Sequence, residues 1–377
     1  MRIERRHDVI EGSADLEHLH TFHDFPVFMG VSDAPSSSDT LADMSFWISR
    51  ASGMIQLNPL LPLDVLYPEA HGAGCVGKSW AAHHQALADF IARYEPGGVL
   101  EIGGAHGILA RNYHAHRPIP WTILEPNPTP APGCEARFIR GFFDEDFRFD
   151  GPVDAVVHSH VFEHFYDPDA FVRQLAYFLT PGKKLIFSVP YMREMLQRGY
   201  TNCLNFEHTV FLTEDYIEFL LARHGFRLLE RQYFQDDHSI FYAAERDPQI
   251  HATALPEGLY ERHIALYKNY LQLHQDLVDN VNAQLNADLS DQAFLFGAHV
   301  QAQYLIGFGL NIARIDRILD NDPNKHGRRL FGTDKLVAAP AVIAGLDAPI
   351  VIVRAGTFTE EIAEQLLRIN PSTRLVL

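Results

Sequence analysis

The chain has 377 residues, 47% hydrophobic and 21% charged, enough apolar material to fill the cores of about two domains and too much for a disordered or fibrous chain. Its 31 Lys and Arg stand against 48 Asp and Glu, a formal charge of -17, which argues against nucleic acid and anionic membrane surfaces as partners. Cys75, Cys134 and Cys203 form no CxxC pair, the N-terminus has no apolar leader, and no apolar run nears the roughly 18 residues of a membrane span, so a soluble, unexported, cytoplasmic protein with reduced thiols is expected.

Residues 1–77 read as an irregular segment: PVFMGVSDAPSSSDTLADMSF holds turn formers, and LNPLLPLDVLYPE is interrupted three times by proline. From Lys78 the spacing of Trp80, His84, Leu87, Ile91 and Tyr94 predicts a helix. Across residues 78–250 the apolar runs VLEIG, WTILEP, DAVVHSH and KKLIFSVP alternate with helical segments, the pattern of a Rossmann-like α/β domain with a parallel sheet. The last runs, RLLERQYF and SIFYAAER, are separated only by QDDH and pair as an antiparallel edge. Residues 251–290 are expected to hold a linker helix, with Ile264, Tyr267, Leu271, His274, Val278, Val281 and Leu285 along one stripe. Over residues 291–377 the strand-then-helix alternation restarts, which predicts a second, smaller α/β domain.

VLEIGGAHGILAR is an apolar strand running into Gly103, Gly104 and Gly107 before a helix. Such a strand end lets a ligand approach the backbone closely and aims N–H groups at it. A dinucleotide fingerprint starting at Gly103 would need glycines where Ala105 and Ile108 stand, and the Lys-Ser/Thr end of a P-loop is missing. Glu101 lies in the strand, and Glu125 ends the next one where a ribose-binding acid stands in a doubly wound sheet. Two carboxylates and no phosphate cradle suit a cationic adenosine derivative, which S-adenosylmethionine is.

These residues resemble the class I S-adenosylmethionine-dependent methyltransferase family, whose pattern E/D-x-G-x-G-x-G reads here Glu101-Ile-Gly103-Gly104-Ala105-His-Gly107, with alanine at the middle glycine. DMSFWISRASGMIQLNPLLPLDVLYPEAHG, together with FLFGA, ILDNDPNKHG and PIVIVRA near the C-terminus, extends the resemblance to the sugar C-methyltransferases, which join a zinc-binding module, a methyltransferase domain and a C-terminal Rossmann-like domain. The resemblance implies S-adenosylmethionine as cofactor and a nucleotide-linked keto sugar as acceptor. That family's zinc is held by four cysteines in two pairs, and Ser49 and Ser52 stand where thiolates of the second pair belong. Serine is a poor zinc ligand. His18, His20 and His23, near the first pair, are three of 21 histidines and read as surface imidazoles, so no metal ligand is assigned.

The ends of the parallel strands are where ligands bind in such sheets. After DAVVHSH come His160, expected beside the cofactor, then Glu163 and His164; the resemblance gives His164 a part in acid-base chemistry. REMLQRGYTNCLNFEHTVFLT is long enough to lie over the pocket as a lid and carries Glu207-His208, which the resemblance implies act on the sugar as base or proton relay. Asn205-Phe206 replaces the aromatic-His dipeptide expected before that pair. Phe142 and Phe143, after Gly141, offer faces for adenine, and Lys325 could meet a phosphate of the nucleotide-sugar. The expected activity is methyl transfer to a small polar metabolite, foremost to carbon of a nucleotide-linked keto sugar. Transfer to oxygen or nitrogen and a non-catalytic binding subunit are the alternatives. The sequence does not fix the oligomeric state.

Overall fold

The structure is a computed structural model and describes residues 2–66, 77–252, 254–287, 292–355 and 359–377. Cys75 and the end of the segment resembling the sugar C-methyltransferases lie outside the described residues. No described helix is long and apolar enough to cross a membrane.

The N-terminal part is more regular than its sequence suggests. Strands β1 (Leu16–Pro26), β3 (Leu41–Ser49) and β4 (Ile55–Leu57) form an antiparallel sheet in the order β1-β3-β4, with β2 (Val31–Ser32) between the first two in sequence and helix α1 (Leu63–Leu66) after them. Register shifts between His18 and His20 and between Phe22 and Phe25 break the two-residue alternation of β1, which hides the strand from a periodicity reading.

A carboxylate ties this sheet to the chain before it. Asp8, 3% exposed, accepts hydrogen bonds from the N–H groups of Ile10 (2.8 Å), Glu11 (2.9 Å) and Ser13 (3.2 Å) and from the hydroxyls of Ser49 (3.1 Å) and Ser52 (3.2 Å).

The central unit runs α2 (Lys78–Ala92), β5 (Val99–Ile102), α3 (Ile108–His114), β6 (Trp121–Glu125), β7 (Arg137–Arg140), β8 (Ala155–Ser159), α4 (Pro168–Phe178), β9 (Lys184–Pro190), α5 (Met192–Gln197), α6 (Glu214–Arg223), β10 (Phe226–Phe234) and β11 (Ser239–Arg246). Its seven-stranded sheet has the order β10-β11-β9-β8-β5-β6-β7, with β11 antiparallel to both neighbours. Every residue of β5 is buried because apolar side chains cover both faces: Val99 packs with Leu109, Tyr113 and Ile123, while Leu100 and Ile102 face Val156 and Phe171. The chain turns outward in opposite directions from β5 and β8, which opens a crevice at their carboxyl ends.

Helix α7 (Leu259–Ala287) buries Tyr267, His274, Val278, Val281 and Leu285 of the expected stripe, plus Leu259, His263 and Tyr270; Ile264 and Leu271 sit at its shoulders. Beyond it, β12 (Ala293–Phe296), α8 (Val300–Gly307), β13 (Arg317–Leu319), β14 (Arg329–Leu330), β15 (Val337–Ala338), β16 (Ile350–Val353), α9 (Thr359–Ile369) and β17 (Arg374–Val376) build a parallel sheet ordered β15-β13-β12-β16-β17. β14 leaves this sheet to pair with β2, and the buried Arg329 guanidinium binds both Asp39 carboxylate oxygens at 2.6 Å. The C-terminal unit is thus fastened to the N-terminal sheet by a bidentate ion pair.

Replacing Asp8 by Ala strips a charged acceptor from two buried serines and three N–H groups. Asp8→Ala is expected to lower unfolding free energy by about 3 kcal/mol or more, measured by urea denaturation; a loss under 1 kcal/mol would mean that the knot does not hold this end of the chain.

Candidate functional site

The glycine turn follows β5 directly. Gly103 has φ +72°, and a Cβ there would lie 2.7 Å from Val161 Cγ2; one on Gly104 would lie 2.6 Å from the Glu101 carboxyl carbon. Neither position takes a side chain without moving its neighbours. Ala105, where the family pattern has glycine, adopts φ +40°, a left-handed conformation that costs an L-residue about 1 kcal/mol. Gly107, at φ +68°, caps the start of α3.

Two carboxylates bracket this turn differently. Glu125, half-buried at the end of β6, accepts from the Ala105 N–H at 3.2 Å and the Asn127 N–H at 3.0 Å. Each oxygen keeps a further lone pair for a hydroxyl. Glu101 lies beneath the turn, 2% exposed, and accepts from the Trp121 indole at 2.7 Å. Burial pushes its carboxyl up to about 7, with the Trp121 N–H opposing and the charge of Glu125 adding to the rise.

Phe142 and Phe143 separate. Phe142 is 65% exposed, whereas Phe143 is buried, with ring centroids 5.5 Å from Phe178, 5.7 Å from Phe147 and 6.1 Å from Phe171. Phe143 therefore belongs to the core and offers no free face for adenine, which corrects the expectation for this residue. His160 has side-chain partners of its own. Its left-handed backbone, φ +51°, directs Nε2 to the Ser239 hydroxyl at 2.8 Å and Nδ1 to Glu163 Oε1 at 3.3 Å.

Glu163, His164 and His208 come together, each with a ligating atom within 4.8 Å of the others. The His164 and His208 rings meet edge to face at 4.8 Å between centroids. Glu163 is 1% exposed, and burial raises its pKa against the opposing pull of His164 and His208. His208 Nδ1 donates to the Asn202 carbonyl at 2.9 Å. A carbonyl only accepts, so Nδ1 carries the proton and Nε2 of the neutral ring carries the lone pair. Asn205 explains the departure beside this pair: its side-chain oxygen accepts from the N–H groups of Glu207 (2.7 Å) and His208 (2.9 Å), shaping the turn that presents both, while Phe206 is buried against Phe25.

The segment is no swinging lid. Cys203, Leu204, Phe206, Thr209, Val210 and Phe211 are buried, and its backbone is bonded on both sides. Leu57 N–H donates to Thr209 O at 2.8 Å and Phe211 N–H to Ile55 O at 2.8 Å. Arg5, far from this region in sequence, reaches the Thr209 carbonyl at 3.0 Å and the Tyr166 carbonyl at 2.5 Å. Tyr304 of α8 donates to the Leu204 carbonyl. After β13, Lys325 donates to the Asp320 carboxylate at 2.9 Å.

Residues 79–231 match a family described as methyltransferase domain, over the same strands and glycine turn. This part of the chain is a class I S-adenosylmethionine-dependent methyltransferase domain. No curated protein matches the chain in sequence. Similar solved structures include a methyltransferase of Mesorhizobium loti (15% identity, covering 46% of this chain and 100% of that one, TM-score 0.36). Another is from Listeria monocytogenes (13%, 44% and 99%, 0.35). A third is the magnesium protoporphyrin IX methyltransferase of Synechocystis with bound S-adenosylhomocysteine (16%, 47% and 91%, 0.36).

The enzyme is a methyltransferase and its cofactor is S-adenosylmethionine. The residues fit that cofactor: the turn excludes side chains at Gly103 and Gly104, and among the described residues Glu125 has only backbone N–H partners on its two oxygens.

Glu101 sets a pH dependence. Its folded-state value near 7 lies above the ordinary 4.5, so the fold favours the protonated acid. Stability present below pH 4.5 is lost as pH rises to about 7, a change of about 3 kcal/mol. Glu101→Gln keeps an acceptor for Trp121 and removes that slope. The variant is expected to gain about 3 kcal/mol relative to wild type between those limits in urea unfolding of cofactor-free protein; a pH-independent difference would contradict it.

Proposed function

We propose that the enzyme methylates carbon in a nucleotide-linked keto sugar or a related small polar biosynthetic intermediate. The observation that carries this reading is the fixed tautomer of His208. With Nδ1 committed to a backbone carbonyl, its Nε2 is a neutral base, and a base is what abstraction of a proton alpha to a carbonyl requires. Glu207 shares the turn shaped by Asn205, and His164 lies against the His208 ring.

Gly103, Gly104, Ala105, Gly107 and Glu125 would hold the cofactor, with the Glu125 carboxylate on the ribose hydroxyls and Phe142 the aromatic ring available near adenine. S-adenosylmethionine supplies the electrophilic methyl group on its sulfonium. His208 takes the proton from the acceptor carbon and leaves the electron pair that forms the new carbon–carbon bond; His164 and Glu207 orient the acceptor and relay the proton. Support for the acceptor class comes from the three-part order of the chain and from Asp8. With Ser49 and Ser52 it forms a hydrogen-bonded knot where the resembled family uses zinc and cysteines. One observation favours oxygen or nitrogen as the methyl acceptor instead: the dipeptide before Glu207 is a turn former and a core phenylalanine, so it offers the acceptor neither an imidazole nor a free ring.

Glu125→Ala is expected to weaken S-adenosylhomocysteine binding by roughly ten- to a hundredfold, the worth of a charged acceptor for two hydroxyls; unchanged affinity by calorimetry would move the cofactor elsewhere.

His208→Asn and Glu207→Gln are expected to lower turnover by roughly 10² to 10⁴ while holding cofactor affinity within about twofold. Assays on nucleotide-linked keto sugars should show a new carbon-bound methyl by NMR. Incubation in deuterium oxide should show loss of the alpha proton with wild type and none with His208→Asn. Turnover near wild type in both variants, or a methyl found on oxygen or nitrogen, would overturn the assignment.

A further inference from the structure

A second group of histidines lies beside the acid-base set. His83 comes from helix α2, His160 from the end of β8 and His238 from the turn between β10 and β11, and one ring nitrogen of each lies within 4.8 Å of the others. The His83 ring is 5.2 Å from that of His160 and 5.3 Å from that of His238, centroid to centroid. Trp80 closes one side, its ring meeting those of His160 and His238 edge to face at 4.8 and 5.0 Å between centroids.

His83 is 0% exposed, and neither ring nitrogen has a hydrogen-bond partner among the described residues. Buried polar atoms without partners are costly and rare, and each calls for an explanation. Aromatic packing alone would be served better by phenylalanine. From the convergence of three imidazoles on this unpartnered ring, we propose that His83, His160 and His238 bind a divalent transition metal ion.

The surroundings supply what such a site needs. The buried Glu163 carboxylate stands 3.3 Å from His160 Nδ1, the carboxylate–histidine arrangement that fixes a metal-bound imidazole's tautomer and orientation. His160 Nε2 is then its ligand atom, and the Ser239 hydroxyl, 2.8 Å away, is the partner a metal displaces. His238 Nδ1 lies 2.6 Å from the same hydroxyl, which leaves Nε2 to ligate. Burial holds all three imidazoles below the ordinary histidine range, His160 well below it, and the neighbouring imidazoles add to this for His83 and His160. Three neutral nitrogens without a thiolate suit zinc, cobalt, nickel or iron(II) and disfavour calcium and magnesium. Tetrahedral ligands at about 2.0 to 2.1 Å lie about 3.3 Å apart, so the rings close by roughly 1.5 Å at most. A fourth coordination position stays open for water or an oxygen of the acceptor.

The test uses the full-length protein, stripped with dipicolinate, reloaded with Co²⁺ alone and passed through a desalting column. Elemental analysis is expected to find one cobalt per chain, with visible d–d bands of a tetrahedral nitrogen site. His83→Ala and His238→Ala are each expected to weaken binding at least a hundredfold while S-adenosylhomocysteine affinity stays within about twofold. His164→Asn and His208→Asn, which reach the site only through Glu163, are expected to bind within about tenfold of wild type. His238 lies in a hairpin turn, so its variant decides the matter alone if His83→Ala does not fold. Less than a tenth of an equivalent retained by wild type, or binding that survives both His83→Ala and His238→Ala, would overturn the proposal. Loss of the metal only in His164→Asn and His208→Asn would overturn it too, by moving the ion to the neighbouring group.

Discussion

The Thr209 carbonyl accepts hydrogen bonds from the Leu57 N–H at 2.8 Å and from the Arg5 guanidinium at 3.0 Å, and the position of Glu207 and His208 depends on those two bonds. The segment between α5 and α6 has no place in the seven-stranded sheet, so its polar backbone must be satisfied elsewhere or left bare in the core. The N-terminal sheet supplies β4, whose edge pairs with Thr209 and Phe211. The C-terminal unit supplies the Tyr304 hydroxyl to Leu204 and Gln301 to the Thr201 hydroxyl at 2.6 Å. Glu207 and His208 are thus held by parts of the chain that contribute nothing to the glycine turn.

Arg5 shows how firm that arrangement is. Arg5 is 8% exposed, and its guanidinium donates to the carbonyls of Leu57, Tyr166 and Thr209 and to the Thr209 hydroxyl. Burial pulls it down only to about 10, so it stays charged at neutral pH. A buried cation costs several kcal/mol unless its donors are satisfied, and here Leu57 of β4, Tyr166 and Thr209 together satisfy them. Displacing the segment would leave both the cation and its acceptors unpaired. Helix α7 stiffens the same region from behind: His263 lies 2.9 Å from the Gly53 carbonyl, and His274 stacks on Phe308 of the C-terminal unit.

What the sequence made legible follows from the range of the interactions involved. The alternation of apolar runs, the glycine turn with Glu125 after it, and the β10–β11 hairpin are all local patterns, and they appear where the periodicities put them. β1 was not legible because two register shifts break its alternation. Phe143 misled because a tandem of phenylalanines reads the same whether it lines a pocket or, as here, fills a core with Phe147 and Phe178. Asp8 reaches Ser49, 41 positions away, and Arg5 reaches Thr209, 204 positions away, and no spacing rule announces such a contact. The same holds for His83, His160 and His238, which no motif links and which only the strand order of the sheet brings together.

Glu163 is where the two histidine groups meet. It is one buried carboxylate, 3.3 Å from His160 on one side and grouped with His164 and His208 on the other. Burial favours its protonated form and the imidazoles around it favour the anion, so its charge is set by its neighbours. A cation on His160 makes the Nδ1 proton a stronger donor and stabilises the ionised carboxylate. Glu163 therefore couples the proposed metal triad to His164 and His208, and substitutions in the two groups will not act additively.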